Sequence, residues 1–434
     1  MKIAIAGTGY VGLVTGVCLA HKGIHNVVCV DVDENRIEKL KKGQSPIYEE
    51  NLEELLKEGL ENGNIDFTTD SESAYEDADV IFIAVGTPER SDGSANLEYI
   101  KQVARQISNF VKKDCLVVIK STVPAGTNET IEKYIKKHLK NDVWIELASN
   151  PEFLAQGTAV RDTLEASRIV IGTESNKARE ILEKVYEGFD SPKVITNRNS
   201  AEMIKYASND FLALKISYMS DIANLCEIVG ANVEDVAYGM SFDDRIGSKF
   251  LRAGIGYGGS CFPKDTKALH WLSNSNGYEL KTVSAAIEVN EAQKLKLIKK
   301  AAEDIESFEG LKAAVLGVTY KPGTDDLREA PALVNIDSLL ERDATVFAYD
   351  PVGLENAKKI YGNKINYCEK IEDALRDADI CFVMTEWSEI KNIKAEEFIE
   401  LMKSPIVYDG RNCYDPKIME EKGVKYYSIG RASY

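Results

Sequence analysis

Residues 2–12 read KIAIAGTGYVG, and their reading decides the fold. The apolar run Ile3-Ala4-Ile5-Ala6 has the character of a buried strand. Gly7, Gly9 and Gly12 follow at once in the spacing G-x-G-x-x-G, and a helical pattern continues from there. A turn of this kind needs a glycine to fold tightly, a second to let a pyrophosphate approach the backbone, and a third to let helix and strand pack closely. The helix N-terminus supplies unpaired N–H groups and positive potential for the phosphates. A second apolar run, NVVCVDVD, ends near Asp31, ~20 residues on, where a carboxylate accepts hydrogen bonds from a ribose diol. The segment therefore predicts a dinucleotide site. Asp31 favours NAD over NADP, and Arg36 is the residue that could instead meet a 2′-phosphate.

Outward from this turn, DVIFIAVG and CLVVIKST continue the series of buried strands, with amphipathic stretches between them. Alternation of this type predicts a parallel sheet with helices on both faces. Near residue 197 the texture changes to one long helical pattern, NSAEMIKYASNDFLALKISYMSDIANLCEIVGA. Asn199 and Glu202 have capping-box spacing, and Gly230 is a natural stop. A helix of that length can link two domains and offer a surface for a second copy. The last third returns to the α/β pattern and echoes the first. KAAVLGVTY at 312–320 matches KIAIAGTGY at 2–10, RDADICFVMTEWS at 376–388 matches EDADVIFIAVGTP at 76–88, and Asp350 stands where Asp31 stands. Because the order is the same, we expect two Rossmann-like doubly wound domains, 1–196 and 301–434, joined by a central helical region, 197–300, with one long helix. The C-terminal copy has lost the glycine pattern and reads GVTYKPGTDDLRE, in which Lys321 and Arg328 suit a different phosphorylated ligand.

Composition narrows the classes. A net charge of −17 over 434 residues argues against general nucleic-acid or anionic-membrane binding, while leaving room for small anions held by backbone amides and local Arg or Lys. The apolar N-terminus resembles a signal peptide in outline, but Gly7, Gly9, Gly12 and Gly16 interrupt it as a strand–turn–helix would. No stretch has the ~20 apolar residues that a membrane span needs. The eight cysteines include no C-x-x-C pair and mostly lie within apolar runs such as VVCV and DICFV. We read them as free buried thiols, expect neither a disulfide framework nor a metal site, and place the protein in the cytoplasm.

One cysteine stands apart. In GYGGSCFPKD, residues 256–265, a glycine run leads into Cys261, and Lys264 and Asp265 follow. On spacing alone the thiol could be core, disulfide, metal ligand or nucleophile, although His270, in ALHWL, offers no metal pairing.

Three further segments bear on this: STVPAGT at 121–127, NPEFLAQGTAVRD at 150–162 and EMIKYASNDFLA at 202–213. With GTGYVG, GGSCFPKD and YKPGTDDLRE they make six motifs in order, and the chain from residue 1 to about 430 resembles the UDP-glucose/GDP-mannose dehydrogenase family. The resemblance implies NAD-dependent oxidation of the C6 alcohol of a nucleotide sugar to a carboxylate, with two NAD reduced per sugar and UDP-glucose as the expected substrate. It makes Cys261 the nucleophile. A thiolate adds to the aldehyde from the first oxidation, and the thiohemiacetal can lose a second hydride to give a thioester for hydrolysis.

The same resemblance assigns Lys205 and Asn209, one helical turn apart, to the substrate oxygen and its developing charge. It gives Asp265 and Thr122 to water, and Glu152 to general-base work. Tyr10, Val11, Thr87, Thr122 and Arg328 join the glycines, Asp31 and Arg36 as cofactor contacts. Phe153, Leu154, Phe250, Arg252, Gly258, Lys321 and Arg411 join Glu152, Lys205 and Asn209 as substrate contacts, and the glycine-rich backbone near Gly258 is expected to close on the nucleotide sugar. Arg245 is expected to reach substrate bound to a neighbouring subunit, which implies a homodimer or a higher homo-oligomer. The chain departs from the family at Gln156, where a second glutamate is common. A glutamine can bind a sugar or a cofactor amide but cannot act as a base. The alternatives are GDP-mannose or another nucleotide hexose as substrate, a two-electron hydroxyacid-type dehydrogenase with a structural Cys261, and a non-catalytic NAD-binding redox sensor.

Overall fold

The computed structural model describes residues 1–431 and divides into two compact units, Met1–Ser208 and Asn209–Tyr434. The expected fold is present in both.

In the first unit eight strands form one sheet. They are β1 (Lys2–Ala6), β2 (Asn26–Val30), β3 (Ile65–Thr68), β4 (Val80–Ile83), β5 (Cys115–Ile119), β6 (Ile145–Ser149), β7 (Ile169–Gly172) and β8 (Lys193–Thr196). Their order is β3-β2-β1-β4-β5-β6-β7-β8, and every pairing is parallel except that of β6 with β7. The central strands are the ones the sequence marks as continuous apolar runs. All four residues of β4 and all five of β5 are buried, as strands covered by helices on both faces must be. The strand order reverses beside β1, between β2 and β4, so the crevice beyond the C-terminal ends of β1 and β4 is the natural binding place.

In the second unit β9 (Lys312–Leu316), β10 (Thr345–Tyr349), β11 (Asn366–Cys368), β12 (Ile380–Val383), β13 (Ile406–Asp409) and β14 (Lys425–Tyr427) form an all-parallel sheet. Its order, β11-β10-β9-β12-β13-β14, repeats the first six strands of the other sheet position for position. The echo in the sequence is therefore a repeat in topology.

The long helix spans Arg198–Val229, 32 residues, or about 48 Å. The division between the units falls within it. Its stop is as expected: Gly230 takes φ +76° and Ala231 N–H donates back to Cys226 O at 3.0 Å. Its start is not. Asn199 lies inside the helix, and Asn197 Oδ1 accepts from Ser200 N at 2.7 Å. Glu202, assigned by spacing to cap its own helix, instead accepts from Gly126 N at 2.7 Å and from Asn128 N and Nδ2 at 2.8 Å each. It thereby caps the start of the helix Thr127–His138, whose own N-cap residue, Gly126, has no side chain to do so.

Candidate functional site

The three glycines of the first unit have separate physical tasks. Gly7 sits at φ +99°, and a Cβ there would lie 2.8 Å from Ala84 O. A Cβ on Gly12 would lie 1.9 Å from Gly7 O, whereas one on Gly9 would meet nothing within 4 Å. Turn and packing thus require Gly7 and Gly12, and Gly9 leaves its space open to a ligand at the start of the helix Tyr10–His21. Val11 follows in the first turn of that helix. Asp31 Oδ2 accepts from Thr8 N at 2.8 Å and Thr8 Oγ1 at 2.7 Å, and Oδ1 accepts from Asp33 N at 3.1 Å. Burial alone would raise its carboxyl, but these hydrogen bonds outweigh it and hold the group below its ordinary value. Arg36 lies 3.6 Å from the same carboxylate, so its charge already faces an anion. Beyond β4 and β5, Thr87 Oγ1 donates to Thr122 O at 2.9 Å, which ties two predicted cofactor residues together at the crevice.

The segment after β6 carries a second group in the same unit. Glu152 Oε2 accepts from Leu154 N at 2.8 Å, and Glu152 Oε1 pairs with Lys205 Nζ at 2.9 Å. Both side chains are buried, and Gln156 is buried nearby in sequence. The Lys205 ammonium lies 5.5 Å from the centre of the Phe153 ring, and the Arg168 guanidinium lies 3.7 Å from that same ring.

In the second unit Cys261 is the N-cap of the helix Phe262–Ser275, with Pro263 in the first turn and Asp265 N–H donating to Cys261 O at 2.8 Å. A helix N-terminus favours a thiolate. The Arg328 guanidinium lies within electrostatic range of Cys261, although its fork is first of all held by Asp326, at 2.9 Å through Nε and 2.6 Å through Nη2. By contrast, burial pushes the thiols of Cys18, Cys29, Cys115, Cys368, Cys381 and Cys413 up, with Cys18 at about 12. Those groups stay protonated and inert. Asn209 donates its amide to Asp265 Oδ2 at 2.7 Å, and Lys264 pairs with the other oxygen. Beside this pair, Asp210 is buried with neither carboxylate oxygen hydrogen-bonded among the described residues. Burial, then the charge of Asp265, raises its carboxyl to about 8.

Other predicted substrate residues are occupied or apart. The space that a side chain at Gly258 or Gly259 would need is filled by the Glu329 backbone and the Tyr320 ring, so the protein itself closes on these glycines. Arg411 donates to Met384 O, Gly256 O and Tyr320 O at 2.9, 3.3 and 3.2 Å, clasping three loops. Lys321 lies 5.7 Å from the Tyr320 ring centre. Phe250 takes φ +63°, a costly backbone for a bulky residue, and its ring lies 6.3 Å from that of Phe262. Arg252 is exposed, and Arg245, with 90% of its side chain exposed, is paired only with its neighbour Asp243 among the described residues.

The comparisons agree over the whole length. The NAD binding domain of the UDP-glucose/GDP-mannose dehydrogenase family matches residues 1–190, its central domain residues 199–292 and its UDP binding domain residues 314–416. The chain belongs to this family. It is 48% identical over 431 residues to a UDP-glucose 6-dehydrogenase of Bacillus subtilis, covering 99% of this chain and 98% of the relative. A solved UDP-glucose dehydrogenase from Pyrobaculum islandicum superposes with a TM-score of 0.93 at 36% identity, covering 99% of this chain and 98% of the other. A UDP-D-ManNAc dehydrogenase from Pyrococcus horikoshii superposes at 0.88 and 28% identity, with both chains fully covered. The protein is an NAD-dependent nucleotide-sugar 6-dehydrogenase, and its Gly7–Gly12 turn and Asp31 fit that cofactor. Among the described residues no helix is long and apolar enough to cross a membrane, and no three His, Cys, Asp or Glu side chains cluster as metal ligands would.

Family membership explains why the second Rossmann copy differs. Where Asp31 keeps an oxygen with one backbone bond, Asp350 is spent. Its Oδ2 accepts from Val318 N, Thr319 N, Thr319 Oγ1 and Trp387 Nε1, and its Oδ1 accepts from Val352 N and Gly353 N. The carboxylate is 2% exposed and has nothing left for a ribose. The family's UDP binding domain matches residues 314–416, most of this copy.

Sequence reading missed residues whose tasks are set by distant partners. Lys120 is buried and donates to Asn150 Oδ1 at 3.0 Å and to Tyr186 OH at 3.2 Å, fixing the start of the 151–158 segment. Arg168, pushed below its ordinary value by burial, donates to Ser208 Oγ at 3.2 Å. Glu49 holds the other end of that segment. No local pattern distinguishes these from ordinary surface charges.

Proposed function

We propose that the protein oxidises UDP-glucose to UDP-glucuronate in two successive NAD-dependent steps, with Cys261 as the covalent nucleophile. The observation that carries this reading is the contrast among thiols: Cys261 alone among the described cysteines caps a helix N-terminus with the charge of Arg328 in range, while most of the others are buried and raised. The Gly7–Gly12 turn and Asp31 would hold NAD, which would supply the hydride acceptor for each oxidation at C6.

The side chains have matching tasks. In the first oxidation the C6 hydroxyl loses its proton as the hydride leaves, and the Lys205 ammonium, with the Asn209 amide fixed by Asp265, stabilises negative charge on that oxygen. The Cys261 thiolate adds to the aldehyde carbon, and the oxygen takes up a proton, giving a thiohemiacetal. Loss of the second hydride and of the hydroxyl proton leaves a thioester. Water, activated by Glu152 and positioned by Thr122 and Asp265, then displaces the thiolate and yields the carboxylate. Gln156 binds and does no proton transfer. Phe153, Leu154, Arg252, Gly258, Lys321 and Arg411 line or shape the nucleotide-sugar site, and Arg328 meets a cofactor phosphate. Arg245, exposed and paired with Asp243, serves the substrate of a second subunit in a homodimer, in the cytoplasm.

Purified protein with NAD and a panel of UDP- and GDP-sugars tests this. The expected yield is two NADH per UDP-glucose consumed, with Cys261→Ser losing glucuronate formation by at least about a thousandfold. One NADH per sugar, or a Cys261→Ser variant with unchanged turnover, would overturn the mechanism. Preference for a GDP- or N-acetylated sugar would overturn the substrate.

A further inference from the structure

The segment after β6, residues 151–158, is held at its far end by a carboxylate from elsewhere in the first unit. Glu49 lies between the helices Glu34–Lys41 and Leu52–Glu61, and it is 9% exposed. Its Oε2 accepts from Gly157 N and its Oε1 from Ala159 N, both at 2.7 Å. The Ala159 N–H is the first of the short helix Ala159–Leu164, and Gly157 stands just before its N-cap residue Thr158, which gives it no side-chain cap; the Thr158 hydroxyl donates to Asp162 at 2.7 Å instead. Gly157 sits at φ +85°, so the chain turns sharply where Glu49 grips it.

The same carboxylate has a third partner. The Tyr10 hydroxyl lies in hydrogen-bond range of Glu49 Oε2, and 3.0 Å from Tyr48 O. Tyr10 is the first residue of the helix that follows the glycine turn, immediately after Gly9, where a Cβ would meet nothing within 4 Å. One buried carboxylate thus accepts from the cofactor turn on one side and from the two amides just beyond Gln156 on the other. Oε2 is shared by both partners, so a change at Tyr10 alters the bond to Gly157 directly.

We propose that Glu49 is a positioning residue that couples the dinucleotide turn to the 151–158 segment, so that cofactor binding orders the stretch carrying Glu152 and Gln156. The coupling rests on NAD binding at the turn, and its consequence for catalysis rests on the substrate role proposed above. Binding energies so linked act reciprocally: what the cofactor does to the segment, a ligand of the segment does to the cofactor.

Hydrogen exchange of the peptides within 151–164, measured in the full-length protein with and without saturating NADH, tests this. In the wild type, NADH should slow exchange there by about threefold or more. Tyr10→Phe keeps the ring and removes the hydroxyl, and should abolish the slowing when NADH is raised until it saturates the variant. Glu49→Gln offers one acceptor oxygen for two N–H donors, and should speed exchange in the absence of NADH by about tenfold. No slowing in the wild type, equal slowing in Tyr10→Phe, or unchanged exchange in Glu49→Gln would each overturn the proposal. A parallel arm with UDP-glucose separates the two readings. Slowing by NADH with no response to UDP-glucose leaves the coupling standing and removes the substrate assignment.

Discussion

At the scale of single residues, the most exceptional group is Asp210. It follows Asn209 on the central helix, is 5% exposed and has no hydrogen-bond partner among the described residues. An ionised carboxylate in such a place is costly, so the fold prefers it neutral. Desolvation, then the neighbouring charge of Asp265, raises it from 3.8 to about 8, and Lys264 offsets this only in part. The sign follows. In the unfolded chain Asp210 loses its proton near its ordinary value, whereas in the fold it keeps it up to about 8, so the native state binds more protons between those limits. Stability therefore falls as pH rises through that window and levels off above it. Asp210→Asn removes the titration and keeps the shape. Relative to the wild type it should gain on the order of 3 kcal/mol between about pH 5 and pH 8, read from urea unfolding at both values. A difference that stays flat across the window would show that Asp210 ionises as an ordinary exposed carboxyl. Nothing in the string SNDFLA announces this: Asp210 reads as a solvated helix charge, and only its packing makes it otherwise.

At the scale of elements, legibility depends on the range of the forces. Strand β1, the glycine turn and Asp31 could be read because each requirement is local: a buried run, a positive φ, a packing distance of one residue's Cβ. The stop at Gly230 was legible for the same reason. The start of the central helix was not, because the capping-box spacing of Asn199 and Glu202 is satisfied in sequence but not used. Glu202 is committed to Asn128, 74 positions away. Burial raises its carboxyl, although the three hydrogen bonds pull it back. Glu202→Ala should therefore destabilise the first Rossmann domain rather than the helix that bears it. Two backbone N–H groups and the Asn128 amide lose their acceptor, at a cost of about 2 kcal/mol. Chemical denaturation measures the loss, and Asn199→Ala is the control, expected to change stability by less than about 0.5 kcal/mol. Equal losses in the two variants would restore the capping box. The site residues divide along the same line. Cys261 and Lys205 were found through motifs, whereas Glu49, Lys120 and Arg168 act through partners that no spacing reveals.

At the scale of the whole molecule, duplication was legible because topology leaves a periodic trace: two sheets whose first six strands share one order, each begun by a matching strand and carrying a matching acid after its second strand. What the second copy binds was not legible from that trace, since it turns on Asp350 being consumed by six donors, Trp387 among them. The proposed homodimer belongs to this scale as well. Along the central helix Phe211, Tyr218 and Leu225 are 61%, 53% and 53% exposed, and Ile228 is 82% exposed. The first three recur every seventh residue, which places them along one side of a helix, and a run of large exposed apolar groups is costly to leave in water. A second copy of the same helix would cover it through a self-complementary contact. A Phe211→Glu, Tyr218→Glu double variant places like charges across any such two-fold contact while leaving the buried face of the helix intact. Sedimentation should show the wild type as a dimer and the variant as a monomer at micromolar concentration, with little loss of helical signal. If Arg245 serves a neighbour's substrate, the monomer should also lose most of its turnover while still binding NADH. A wild type that sediments as a monomer and turns over fully would remove both the dimer and the shared arginine.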